Sequence, residues 1–154
     1  MKKLATLREF LMTNIHELKR DPDSILVFAE KGKIVSTLGT SLSFEYRYQA
    51  ELILTDYNGH ADTIMVPLLV WVRLNQPDLL MPTDTEQNGI QFEAEILNHN
   101  TADISIKLDL SERVIVTIVD GSRVITHVDE PPLLDLTGPT NWEIYANGTP
   151  ISQL

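Results

Sequence analysis

The chain contains no cysteine, which excludes disulfides, thiolate zinc sites and cysteine nucleophiles and suits assembly in a reducing cytoplasm. Basic residues are also scarce: 12 Lys and Arg stand against 22 Asp and Glu, for a net charge of −10. Nucleic-acid binders draw affinity from cations that displace counterions from phosphates, so the overall field opposes direct DNA binding. Long apolar runs are missing as well. The longest near-continuous one, Ile64 to Val72, is far shorter than the roughly 18 residues of a membrane-span candidate. The opening MKKLATLREF is basic like an export signal, but Arg8, Glu9, Thr13 and Asn14 interrupt any apolar region, so neither export nor a membrane partner is expected. The signatures G-x-S-x-G, G-x-x-x-x-G-K-[ST] and G-x-G-x-x-G do not occur, which removes the commonest hydrolase, nucleotide and dinucleotide motifs.

What is present is the composition of a folded domain. The 154 residues are 43% apolar and 22% charged, and a domain of this size buries roughly 68–70% of the surface of its unfolded chain. A single domain over residues 1–154 is expected, since the Pro-bearing connector at 130–139 is too short to separate two.

Leu4, Leu7, Leu11, Ile15 and Leu18 recur at helical spacing and predict a first helix, with Thr6 and Glu9 as a capping box and Asp21-Pro22-Asp23 as its stop. Ile25–Ala29 and Ile34–Leu38 flank Glu30-Lys31-Gly32-Lys33, which reads as a hairpin link. From Ser41 to Thr55 the even positions Leu42, Phe44, Tyr46, Tyr48, Ala50, Leu52 and Leu54 are apolar or aromatic. Of the odd positions only Ile53 is apolar. This period of two predicts a long strand with one buried and one wet face, and it places the three aromatics in the core rather than on a base-stacking platform.

A second helix is expected from Asp62, acting as its cap, to about Asn75. Pro67 falls in its second turn and predicts a late start or a kink. Its apolar residues run nearly all round, so burial on more than one side is expected. Gln76 to Gly89 reads as a long loop. Strands follow over Ile90–Ile96 and Ile104–Leu110 with a turn at Asn98-His99-Asn100, then over Val114–Val119 and Val124–Val128 about an Asp120-Gly121 hairpin. A last strand and an Asn-Gly turn lie between Trp142 and Thr149. The fold class is α+β, a largely antiparallel sheet packed against two helices.

Chemistry is sparse. Asp84, Glu86, Asn88, Gly89 and Glu95 reproduce the spacing of a calcium-binding EF-hand loop, but Glu replaces Asp or Asn at the third position, Gln91 stands at the eighth and no helices flank it, so a solvated acidic loop is the better reading. His16, His60, His99 and His127 lie on separate elements without metal-ligand spacing. No catalytic residue, metal or cofactor is therefore assigned. The charged residues best placed to meet a partner without serving the core are Glu45 and Arg47 on the wet face of the long strand and Asp84 and Glu86 in the loop.

Several blocks resemble a known family. Ser41-Leu42-Ser43-Phe44-Glu45 with Arg47-Tyr48, Thr55-Asp56-Tyr57 and Gly59, Val66-Pro67 with Leu69, Trp71 and Arg73, and Gln76-Pro77-Asp78 are similar to the phage tail completion protein R family of contractile-tailed temperate phages. Asp21-Pro22-Asp23, Ser111-Glu112-Arg113, Asp120-Gly121, Glu130-Pro131-Pro132 and Glu143 to Gly148 extend the likeness over nearly the whole chain. The resemblance implies a non-enzymatic virion protein, assembled in the bacterial host cytoplasm, that finishes the tail before it joins the head. By analogy with tail terminators it implies a tail-terminator-like ring, of six subunits, that caps the tail tube and touches tube, sheath and head connector. An intact phage, a prophage and a headless contractile bacteriocin would use it alike. The other readings are a small enzyme or ligand-binding domain with clustered carboxylates and a DNA-handling connector with a basic patch.

Overall fold

The computed structural model describes residues 1–36, 39–81 and 89–131 in full, and 143–146 and 149–153 by their backbone. The elements run α1 (Lys2–Asn14), α2 (His16–Arg20), β1 (Ile25–Ser36), β2 (Phe44–Tyr57), α3 (Asp62–Asn75), β3 (Gln91–Ile96), β4 (Ala102–Val119), β5 (Ser122–Val128), β6 (Glu143–Ala146) and β7 (Thr149–Gln153). Five strands form one antiparallel sheet in the order β1-β2-β4-β3, with β5 on the far part of β4, and β6 pairs with β7 separately. The α+β class holds.

Period-two patterning in β2 decides which face the helices cover. Tyr48, Ala50, Leu52 and Leu54 are buried, in register with Leu110, Leu108, Ile106 and Ile104 of β4. Leu7 and Leu11 of α1, Ile15, Leu18 of α2 and Ile64, Leu68 and Trp71 of α3 close over them. Phe44 and Tyr46, half-buried, meet edge to face with centroids 4.9 Å apart, so the aromatics lie with the leucines. Leu42 departs from the pattern and is exposed.

Several expectations about elements are corrected. The first helix begins at Lys2, and Thr6 lies inside it, donating to the Lys3 carbonyl rather than capping. It also breaks at Ile15, whose extended backbone (φ −111°, ψ 116°) separates α1 from α2. The supposed hairpin at residues 30–33 is a bulge within one 12-residue strand, with Lys31 at φ 50°. The sheet demands this continuity, because β2 is 14 residues long and its outer edge needs a partner along its length. Likewise β4 is one 18-residue strand that passes straight through Ser111-Glu112-Arg113.

Helix α3 starts one residue after Ala61, its N-cap, with Asp62 in the first turn and no side-chain cap. It runs from Asp62 through Pro67 without a late start. Only one of its faces is covered: Ile64, Pro67, Leu68 and Trp71 are buried, while Val66, Leu69 and Leu74 face solvent. Its entry is fixed by Tyr57, whose hydroxyl pairs with that of Thr63, which in turn donates to the His60 carbonyl at 2.6 Å. Burial pushes the Tyr57 phenol up to about 12, against the Thr63 hydrogen bond and with help from Glu17. Gly59 packs against that ring, where any Cβ would collide with it.

The Asp120-Gly121 hairpin forms as the sequence indicates, with both residues at positive φ (49° and 78°), the backbone of a type I′ turn. Gly121→Ala should cost about 1 kcal/mol from left-handed backbone strain alone, since open space surrounds the site. Denaturant titration showing no change would contradict that assignment. Asn98 caps the β3–β4 turn, its Oδ1 accepting from the Asn100 and Thr101 amides at 2.8 and 3.0 Å. The Asn147-Gly148 turn lies outside the described residues, between two strands that do pair.

Candidate assembly surface

Three features of the described surface bear on function: a charged groove, an apolar arm and a buried polar junction that sets their relative placement. The groove, 620 Å³ in volume, crosses the wet face where β1, β2 and β4 meet the turn after α3. The β1 bulge brings Lys31 and Lys33 to it, β2 brings Glu45 and Arg47, and β4 brings Asp109 and Arg113. With Asp78, its walls hold four cations against three carboxylates, a local balance of +1 in a chain of −10. The Glu45 carboxylate accepts from Arg47 Nε on one oxygen and lies 3.7 Å from Arg113 Nε on the other. Exposed pairs of this kind add little stability.

The arm is the far part of β4 with β5. Beyond Val114 the strand leaves the helices behind, and apolar side chains stand open on both faces. Ile118 and Ile125 are exposed on the face that continues the core, at 74% and 65%, and Ile115, Val119 and Val124 on the other. On the β2 side of this arm, among the described residues, Ser41 and Ser43 follow it, Ser41 Oγ donating to the Val116 carbonyl and Ser43 Oγ accepting from the Val116 amide at 3.0 Å.

The junction centres on Glu112, buried in the middle of β4. It accepts from the Lys2 and Lys3 amides at 2.8 and 3.1 Å and from the Tyr48 hydroxyl, and His127 Nδ1 lies 3.4 Å away. A strand carboxylate thus does for the first turn of α1 what a local cap does elsewhere. Burial acts to raise the Glu112 carboxyl, but hydrogen bonds from Tyr48, Lys2 and Lys3 outweigh it and hold it below the usual carboxylate range. Burial and the adjoining Glu112 push the Tyr48 phenol well above its ordinary value. Beside it, Gln76 Oε1 accepts from Lys3 Nζ at 2.8 Å and from the Ser111 amide at 3.1 Å, filling the gap on the β4 edge between β3 and β5. Lys3 Nζ also meets Glu130 at 2.8 Å. These hydrogen bonds hold α1, α3 and β4 together, while His127 Nδ1 is buried without a hydrogen bond among the described residues, and the low carboxyl of Glu112 is the reverse of the raised acid that general acid catalysis requires.

Of the residues singled out from sequence, the structure brings Glu45 and Arg47 together at the groove. Asp84 and Glu86 lie outside the described residues, as does Asn88 of the calcium-like spacing, while Glu95 projects from exposed β3. Periodicity could not find Arg113, Lys31 or Lys33 as their neighbours, because that proximity depends on strand pairing and on the bulge.

Comparison with known proteins gives this surface a context. The family model of P2 phage tail completion protein R (GpR) matches residues 1–131. The chain belongs to this family. Tail completion protein R of Escherichia phage P2 is 41% identical over 154 residues, covering 99% of this chain and 98% of that protein. No solved structure matches. As a family member the chain is a structural phage tail protein with a role in tail completion, and its contacts are with other tail components. No helix among the described residues is long and apolar enough to cross a membrane. The blocks that carried the likeness have structural explanations: Thr55-Asp56-Tyr57 and Gly59 form the locked entry to α3, Gln76 plugs the β4 edge, and Glu112 anchors α1.

Proposed function

We propose that this tail completion protein is a terminator: copies form a ring of six on the end of the tail tube, stop its growth and present their other side to the head connector. The observation that carries this reading is the β4–β5 arm, whose isoleucines and valines are exposed on both faces in an otherwise acidic chain. An apolar arm of this kind calls for a covering partner. Tube and sheath subunits are the components a tail end offers. The net charge of −10 supports the reading too, since DNA passing through such a ring would be repelled rather than held. In this reading residues 1–154 act as one domain, assembled on the tail in the host cytoplasm. The groove residues Glu45 and Arg47, with Asp84 and Glu86, face neighbouring subunits.

Electron microscopy of lysates from a host whose phage lacks this gene tests the proposal. Tails of uncontrolled length without heads are expected, and supplying the chain in trans should restore uniform, joined tails. Uniform tails joined to heads in its absence would overturn it.

A further inference from the structure

The two outer strands of the sheet are complementary to each other. β1 pairs only with β2 and β3 only with β4 among the described residues, so each presents an unpaired backbone edge. All six residues of β3 are exposed, as is β1 from Lys31 to Ser36. β3 carries Glu93 and Glu95 on the wet face and Phe92 on the face that continues the core. The far part of β1 carries Lys33, in register with Arg47, on the wet face and Ile34, in register with Tyr46, on the core face. Phe92 and Ile34 are 63% and 65% exposed.

We infer that copies of this chain join edge to edge, β3 of one adding antiparallel to the far part of β1 of the next, with Glu93 and Glu95 meeting Lys33 and Lys31 and Phe92 meeting Ile34. This rests on the ring reading and names its joint. Direction agrees: β1 and β3 run oppositely across the sheet, so a neighbour's β1 beside β3 continues the antiparallel order. Parity agrees too, because placing Lys33 opposite Glu93 puts Ile34 opposite Phe92 on the other face. The contact is heterologous and joins β3 to a part of β1 displaced along the strand, the stagger that lets tilted strands close into a ring. Long exposed edges are a hazard in a free protein. The lysines and glutamates make this one selective, since each edge repels its own kind.

The absence of cysteine allows a direct test. Ile34→Cys with Phe92→Cys in one chain should give a ladder of disulfide-linked copies on non-reducing gels of assembled tails, and either substitution alone should give none. Lys33→Glu or Glu93→Lys alone should lower the yield of completed tails by about ten-fold or more, and the two together should recover most of it. All four sites are exposed, and an unchanged melting curve checks folding. If amine-reactive cross-linking shows oligomers while the cysteines stay unlinked and the swaps are silent, the edge joint is wrong and the ring survives. One copy per tail would sink both, and cysteines linking to a different tail protein would overturn the choice of partner.

Discussion

Glu112→Ala should lower the thermal midpoint by roughly 6–12 °C, which corresponds to about 3 kcal/mol in a domain of this size. The carboxylate is buried and accepts from two amides and a tyrosine hydroxyl. Removing it strands those donors, and an unsatisfied buried donor costs more than the mean value of a hydrogen bond. Glu112→Gln should cost less than alanine, because its carbonyl can keep the Lys3 and Tyr48 donors on one oxygen while its amide nitrogen must face the Lys2 amide. The pH dependence has a definite sign. The folded carboxyl lies below its ordinary 4.5, so its contribution is full above about that pH and fades as pH falls through the lower folded value. The gap between the wild-type and Glu112→Gln midpoints should therefore be widest near neutrality and shrink below pH 4.5. A gap independent of pH would show that Glu112 acts through shape and not charge.

The same residue shows where local patterning stops being informative. A capping box at Thr6 and Glu9 is plausible within a short window, but the group that ends the helix comes from 110 positions away. Ser111-Glu112-Arg113 looks like a break for the converse reason. It is polar because β4 passes the helix terminus and Gln76 there, and each polar side chain has a tertiary partner or meets solvent. Lys31-Gly32-Lys33 has turn composition, yet the long β2 keeps it in the sheet as a bulge. In each case a long-range partner overrides the local signal.

Where burial alone sets the pattern, the sequence is legible. The even positions of β2 from Phe44 to Leu54 face the core, and the Asp120-Gly121 hairpin and the end of α3 at Asn75 lie where expected. Glu51 is the exception on the wet face. It is buried there, on a central strand between Phe28 and Lys107, held by Ser105 Oγ at 2.9 Å with Lys107 Nζ 3.6 Å away. For the candidate site, parity suffices to put Glu45 and Arg47 outward. Their meeting with Arg113 and the bulge lysines depends on register, which no single segment encodes. The apolar character of α3 implies burial on several sides, whereas Val66, Leu69 and Leu74 are left open. Composition counts apolar residues without distinguishing those that the chain covers itself from those left for a partner.

Placing charges on the arm should separate folding from assembly most sharply. Ile118→Asp with Ile125→Asp alters side chains that are already 74% and 65% exposed, so stability should change by no more than about 0.5 kcal/mol for each. Both lie on the face that continues the core. In the assembled tail the effect should be of another order. Two carboxylates forced into an apolar contact without partners cost several kcal/mol, and every 1.4 kcal/mol is a factor of ten, so attachment to the tail should weaken by at least about a hundred-fold. Complementation of a phage lacking the gene should then fail, with purified variant still melting near the wild-type temperature. Ile118→Val should retain function, because it shortens the contact without charging it. If the double aspartate variant folds normally and still yields complete tails, the arm is not the covered surface and the terminator reading loses the observation that carries it.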